Sequence, residues 1–337
     1  MIQNRNVLLV GGGGYVGVEL QKSLAESNYH VRVLDTFWYP KGKWSDSDGA
    51  FVNQIEYFDG DIRDRDIVNK ALRGMDACIH LACISNDPSY ELNPNLGRSI
   101  NFDSFGMFIE EINKSSVKTL IYASSSSVYG IKKEKNVTEE LLCSPLTDYS
   151  RYKVMCEDLA LKFISKEVCL TIARPSTICG YSRRQRFDLV VNILTLSALT
   201  RSEIKVEGGD QFRPNLHIKD MISAYQLILE TKPEIIDRKI YNVAGENLTV
   251  LQIAQKVKSQ MPESCEINIV PVLDQRSYRV SGEKILAEIG FTPKHSVDEA
   301  ISDIKQAYFS GKFLNFESEI YFNIKQMKLL MSNGTIK

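Results

Sequence analysis

The run Gly11-Gly12-Gly13-Gly14-Tyr15-Val16-Gly17 constrains this chain more than any other feature. Before it stands a short β-branched and leucine run, residues 6–11. After it, apolar residues recur at Val16, Leu20 and Leu24. The first pattern predicts a buried parallel strand and the second an amphipathic helix over 15–27. Glycines at Gly11, Gly14 and Gly17 suit a tight strand-to-helix turn where the backbone approaches a ligand and the helix packs closely on the strand. The helix N-terminus then offers unpaired N–H groups and a positive dipole end to phosphates.

The rest of the first half repeats the strand–helix alternation. Further strands are expected at 30–35, within 55–64, and at 76–83, 118–125 and 168–176. Helices are expected to about Leu72, around 97–114 and from about Ser150 to Lys166. That alternation predicts an α/β chain with a parallel sheet, right-handed crossovers and both faces covered. After Pro175 the pattern loosens into a helix at 187–199, a hairpin-like segment at 203–220 and a helix at 219–230. A strand at 239–245 could rejoin the sheet, and one further strand is expected at 267–271. With 337 residues and about 150 per domain, two lobes are expected. The first is 1–176 plus about 216–246. An interleaved second takes 177–215 and 247–320, with 321–337 as a C-terminal tail.

Composition narrows the class of ligand. Lys+Arg is 41 and Asp+Glu 42, a formal charge of −1, which argues against a nucleic-acid polymer as partner. No stretch approaches the ~18 apolar residues of a membrane span, and the N-terminal apolar run is too short for a signal peptide. The seven cysteines are an odd count with no C-x-x-C pair, so reduced thiols in the cytoplasm are expected. The four histidines are scattered, and no metal site is expected.

Asp35 ends the second strand, about 20 residues beyond the glycines, where a carboxylate accepts from ribose hydroxyls and repels a 2′-phosphate. No arginine follows in residues 36–40, so NAD is expected rather than NADP. Asp61 and Ile62, after the third strand, are placed to meet an adenine. Tyr149-x-x-x-Lys153 puts a phenol and an ammonium on one helix face. A free tyrosine titrates near ~10; the ammonium and a positive nicotinamide lower that value, so Tyr149 can take a hydroxyl proton as hydride leaves the same carbon. The serines of residues 122–130 leave the carboxyl end of a predicted strand, where a hydroxyl faces the ligand crevice.

Taken in order, Gly11-x-x-Gly14-x-x-Gly17, Asp61-Ile62, His80-Leu81-Ala82, Asn101, the segment 124–130 and Tyr149-x-x-x-Lys153 resemble the extended short-chain dehydrogenases/reductases. The similarity is greatest to their NAD-dependent nucleotide-sugar epimerase/dehydratase branch and covers about residues 5–310. It implies a Rossmann-type doubly wound parallel sheet with a smaller mixed α/β substrate lobe. It also implies a homodimer with a four-helix interface, NAD held tightly, and a nucleoside-diphosphate sugar bound between the lobes. On that resemblance Tyr149, Lys153 and Ser125 are the catalytic candidates. Gly11, Gly14, Tyr15, Val16, Gly17, Asp35, Asp61, Ile62, Leu81, Ala82, Asn101, Lys153 and Pro175 are the cofactor-binding candidates.

On the substrate side, Arg183, Arg184 and Arg186 stand beside a helix start, with Asn192 after it. Residues 212–220 resemble the branch's R-D-Y-I-H-V-x-D segment, making Arg213 a diphosphate candidate. Arg276 and Tyr278 stand near the expected end of the nucleotide pocket. Arginine suits phosphate because its fork donates two parallel hydrogen bonds. The expected substrate-binding set is Ser85, Asn86, Ser126, Thr177, Arg186, Asn192, Arg213 and Arg276, with Asp87 beside it.

The 4,6-dehydratases carry an Asp-Glu pair where this chain has Ser126 and Ser127, which argues against elimination of water. The expected activity is a nucleotide-sugar 4-epimerase of surface-polysaccharide synthesis. The alternative is a 4-dehydrogenase or ketoreductase acting on an unusual sugar such as a GDP-heptose, because Thr177 stands where 4-epimerases often have Asn. A non-catalytic NAD-sensing regulator is a third reading, but such proteins typically lose the Tyr/Lys pair present here.

Overall fold

A computed structural model describes residues 5–40, 54–85, 87–271, 277–313 and 315–336. Asn86 and Arg276 lie outside these residues. The strands are β1 (Asn6–Val10), β2 (His30–Asp35), β3 (Ile55–Asp59), β4 (Ala77–His80), β5 (Thr119–Ala123), β6 (Cys169–Pro175), β7 (Thr177–Cys179), β8 (Glu203–Glu207), β9 (Phe212–His217), β10 (Lys239–Val243), β11 (Asn247–Thr249) and β12 (Glu266–Val270).

Seven of them form one parallel sheet in the order β10-β6-β5-β4-β1-β2-β3. Leu8, Leu9, Cys78, Ile79, Leu120, Ile121, Leu170 and Ile172 are all fully buried. Unbroken apolar strands of this kind are what a sheet covered on both faces requires. Phe105, Phe108, Ile112 and Ala160 pack on one face; Leu20, Leu24, Ala224 and Ile228 pack on the other. The chain starts at β1, runs outward to β3, then crosses back to β4 on the other side of β1. The strand order therefore reverses between β1 and β4, and the crevice beyond their carboxyl ends is where this architecture binds ligands.

β7 leaves the large sheet just after β6 and pairs with β9, which also pairs with β11. The hairpin expected within 203–220 does not form. β8 pairs in parallel with β12, while β9 turns to β7 and β11. Ile204 and Val206 of β8 are buried against Ile253, Val257 and Ile301 of the flanking helices, and that apolar face rewards a partner far along the chain. β10 does rejoin the large sheet beside β6. Past residue 320 the chain forms the helix Asn323–Ser332, whose Met327 and Leu330 join the same core as Phe108 and Ala160. The residues expected as a tail thus pack into the core on one face of the large sheet. No helix of the described residues is long and apolar enough to cross a membrane.

Candidate active site

The glycine turn sits where β1 meets β4. A Cβ at Gly11, whose φ is +80°, would lie 2.4 Å from the nitrogen of Ala82. A Cβ at Gly17 would lie 2.3 Å from the carbonyl oxygen of Gly12, so a side chain there would push the helix Gly17–Glu26 off the turn. At Gly14 the nearest atom would be 3.5 Å away. The two outer glycines are thus demanded by packing, and the middle one leaves the turn open to the cavity. Asp35 fastens the turn from β2. Its carboxylate accepts from the backbone N–H of Gly13 and of Phe37, both at 2.8 Å.

These residues edge a cavity of about 540 Å³, a size typical of small-ligand sites. Gly11, Gly14, Tyr15, Val16, Gly17, Asp35, Asp61, Ile62, Leu81, Ala82, Lys153 and Pro175 line it, as do Tyr149, Ser125, Ser126, Ser85, Thr177, Arg186 and Arg213. A dinucleotide fits this donor set: a glycine cradle that a Cβ would disrupt, beside a helix N-terminus, with carboxylates at the end of β2 and after β3. Burial alone would raise the Asp61 carboxyl, but side-chain and backbone hydrogen bonds from Arg63 hold it below its ordinary value.

The catalytic candidates come from two elements. Helix Asp148–Phe163 starts with a capping box, in which Thr147 accepts from the Ser150 N–H and Ser150 Oγ accepts from the Thr147 N–H. That cap fixes the first turn, which carries Tyr149, and Lys153 follows one turn later. Lys153 Nζ donates to the carbonyl of Ala123 at 2.7 Å and lies 6.0 Å from the centre of the Tyr149 ring. Ser125, two residues after β5, caps the short 3-10 turn Ser126–Tyr129 and accepts from the Ser127 N–H. Burial is the largest influence on Tyr149 and pushes its phenol well above its ordinary value. The charges of Cys83 and Asp87 add to the rise, while Arg186 and a hydrogen bond with Ser125 oppose it. Arg186 and Ser125 thus favour the phenolate beside the two groups that the sequence expectation names, the Lys153 ammonium, here donating to the Ala123 carbonyl, and a bound nicotinamide.

Beneath this pair lies a buried network. Glu157, one turn beyond Lys153, accepts from Ser124 Oγ and pairs with Arg174, which donates to the Tyr129 hydroxyl at 2.9 Å. That hydroxyl in turn donates to Asn242 Oδ1 at 2.7 Å. Strand β5, strand β6 and the catalytic helix are thereby tied together one residue below Ser125.

Two expected contact residues do not line the cavity. Asn192 is fully buried. Its amide donates to the Tyr15 hydroxyl and the Arg186 carbonyl, and its Oδ1 accepts from the Gly180 N–H. Every polar atom of that side chain is spent on holding the loop before it. Asn101 lies in a π-turn, Ser99–Asp103, and clamps Ile84 by accepting from its N–H at 2.8 Å and donating to its carbonyl at 3.1 Å. Both asparagines position loops rather than face a ligand. Arg183 is likewise turned away, paired with Glu19 at 3.1 Å. Arg184, expected on the substrate side with Arg186, also lines the cavity, which has further walls that no sequence motif marks: Trp38, Tyr39, Asp188, and Asn323 and Met327 of the C-terminal helix.

A sequence model of the NAD dependent epimerase/dehydratase family matches residues 7–244. The UDP-glucose 4-epimerase of Lactobacillus helveticus is 26% identical over 325 residues, which is 88% of this chain and 94% of that protein. The N-acetyl-alpha-D-glucosaminyl-diphospho-ditrans,octacis-undecaprenol 4-epimerase of Escherichia coli O157:H7 is 26% identical over 271 residues, 77% of this chain and 74% of that protein. The crystal structure of UDP-glucuronic acid 4-epimerase from Bacillus cereus, in complex with UDP-glucuronic acid and NAD, has a TM-score of 0.79 at 25% identity. It covers 90% of this chain and 100% of the other.

Proposed function

This chain belongs to the NAD-dependent epimerase/dehydratase family, and from that premise we propose that it binds NAD and inverts the C4 hydroxyl of a nucleoside-diphosphate sugar. The observation that carries this reading is the convergence of Tyr149, Ser125 and Lys153 with the Gly11–Gly17 turn on one cavity. Bound NAD supplies the acceptor for a hydride. The phenolate oxygen of Tyr149, favoured by the positive charges of bound NAD and Lys153, takes the proton from the sugar hydroxyl and, as the phenol, later returns it. Ser125 Oγ holds the same sugar oxygen. Lys153, anchored on Ala123, faces the cofactor ribose. Asp35 takes the adenosine ribose hydroxyls, and Asp61 and Ile62 take the adenine. Leu81, Ala82 and Pro175 form apolar walls for the cofactor. Ser85, Ser126, Thr177 and Arg213 contact the substrate.

Ser126 and Ser127 present hydroxyls where elimination of water needs an acid and a base, which favours epimerisation over dehydration. A second reading, a 4-dehydrogenase or ketoreductase, has one observation in its favour: Thr177 lines the cavity where 4-epimerases often carry Asn. Met155 and Phe163, exposed at i and i+8 of the catalytic helix, support a homodimer through that face.

The test is incubation with UDP-, GDP-, CDP- and dTDP-sugars, followed by NMR and by absorbance in the reduced-nicotinamide band. A C4 epimer with no net absorbance change is expected. Sustained NADH release or consumption selects the second reading, and no change in any sugar overturns both.

A further inference from the structure

The last turns of the chain bridge parts of the molecule that are far apart in sequence. Tyr321 packs edge-on against Phe187, ring centres 5.5 Å apart, and its carbonyl accepts from the Phe187 N–H at 2.8 Å. The helix Asn323–Ser332 starts two residues later. At ten residues it is marginal by itself. Its order comes from the face it buries: Asn323, Gln326, Met327 and Leu330, spaced as one side of a helix. Met327 and Leu330 enter the apolar core. Asn323 and Gln326, each only 4% exposed, turn their polar groups to loops.

Asn323 Oδ1 accepts from Arg184 Nη2 at 2.7 Å, and its amide donates to Ser85 Oγ at 3.0 Å. Its backbone N–H, one of the donors that a helix start leaves unpaired, goes to Asp188 at 3.3 Å. Gln326 Nε2 donates to the Trp38 carbonyl at 2.6 Å. These partners stand on three loops, which follow β2, β4 and β7. β2 and β4 flank β1 on opposite sides, where the strand order reverses. One turn of helix therefore joins both banks of the crevice. Asn323, Met327, Trp38, Ser85, Arg184 and Asp188 all line the cavity. Trp38 is three residues beyond Asp35, so the bridge lies at the end expected to hold the adenosine. A bridge of a few hydrogen bonds and two apolar side chains opens without unfolding the sheet beneath it, because local segments open at far lower cost than the whole fold.

We propose that the C-terminal helix retains the cofactor, with Asn323 and Gln326 as its positioning residues. Docked, it pins the loops after β2, β4 and β7 around bound NAD; NAD leaves when the helix undocks, as lids govern release elsewhere. The inference rests on the reading of the cavity as an NAD site. It assigns the helix no part in the chemical step.

The test measures release and needs no turnover. The full-length holoprotein is loaded with isotopically labelled NAD and chased with excess unlabelled NAD, and the label retained is followed by mass spectrometry. Asn323→Ala and Gln326→Ala are each expected to speed release about 3- to 10-fold, the range for one or two lost hydrogen bonds. Leu330 lies in the core and does not line the cavity. Leu330→Ala loosens the docking from that side and is expected to speed release as well. Val257, buried against Ile204 and Val206 of β8, controls for general loosening: Val257→Ala is expected to lower the urea midpoint and leave release unchanged. The proposal is overturned if the folded Asn323→Ala/Gln326→Ala double variant and Leu330→Ala release NAD within about twofold of the parent rate. It is equally overturned if Val257→Ala speeds release as much as they do. If the parent retains no labelled NAD, the reading of the cavity fails first, and the proposal with it.

Discussion

Glu157 and Arg174 form a two-pronged ion pair inside the molecule, Nε to Oε1 at 3.0 Å and Nη2 to Oε2 at 2.5 Å, with both side chains at most 5% exposed. The pair ties the catalytic helix to β6, and Ser124 ties both to β5. Removing one partner of such a pair leaves the other as an uncompensated buried charge, which costs about 3–5 kcal/mol. Glu157→Ala is therefore expected to lower the unfolding free energy by that amount in urea titration. A loss below about 1 kcal/mol would show that water or a neighbour replaces the lost carboxylate.

Gly11 combines a positive φ with a Cβ position 2.4 Å from the Ala82 backbone. Gly11→Ala must open the junction between β1 and β4, with backbone strain on the order of 1–3 kcal/mol before any ligand is considered. The expected outcome is a protein that still shows α/β circular dichroism but purifies without cofactor, as read by its nucleotide absorbance. Gly14→Ala, where a Cβ meets nothing nearer than 3.5 Å, is expected to fold with near-parent stability and to lose cofactor only through the cavity side.

Tyr149→Phe keeps the ring and removes the proton acceptor. General base catalysis contributes typically ~10²–10⁴ in rate, so kcat is expected to fall by that factor on whichever sugar nucleotide is turned over, with little change in substrate affinity. Equal activity in the variant and the parent would remove Tyr149 from the chemistry.

His80 ends β4 with its ring edge-on to Phe105 and Phe108, and burial pushes its imidazole down to about 3. The unfolded chain takes up a proton near pH ~6.5 and the folded chain does not. Between that pH and about 3 the unfolded state thus binds the extra proton, and stability falls as pH falls, by about 1.4 kcal/mol per pH unit. His80→Phe suits the aromatic surroundings and is expected to flatten the decline between pH 6 and 4 by one proton's worth. An unchanged slope would mean that the imidazole is charged in the folded protein.

The features legible in the sequence were those set by local chemistry. Gly11 to Gly17 announced a turn because only glycine fits its contacts, and the i, i+4 spacing of Tyr149 and Lys153 put both on one helix face. The buried strands announced themselves as unbroken apolar runs. What stayed hidden depended on distant packing. The partner of β8 is β12, about sixty residues later, so a nearby hairpin with β9 looked natural. Asn101 and Asn192 look like ligand groups from their motif positions, yet their amides are consumed by Ile84, Gly180, Tyr15 and the Arg186 carbonyl. Asn323 and Met327 carry no motif, and only the docking of the last helix brings them to the cavity.

The most direct test of the central claim follows one hydrogen. A nucleotide sugar deuterated at C4, of whichever base the protein accepts, is incubated with the holoprotein and the product is read by NMR and mass spectrometry. If one cavity removes and returns the same hydride while Tyr149 handles the proton, the C4 epimer retains its deuterium and no reduced cofactor accumulates. Loss of the deuterium into free reduced nicotinamide, or a product lighter by one water, would contradict the account.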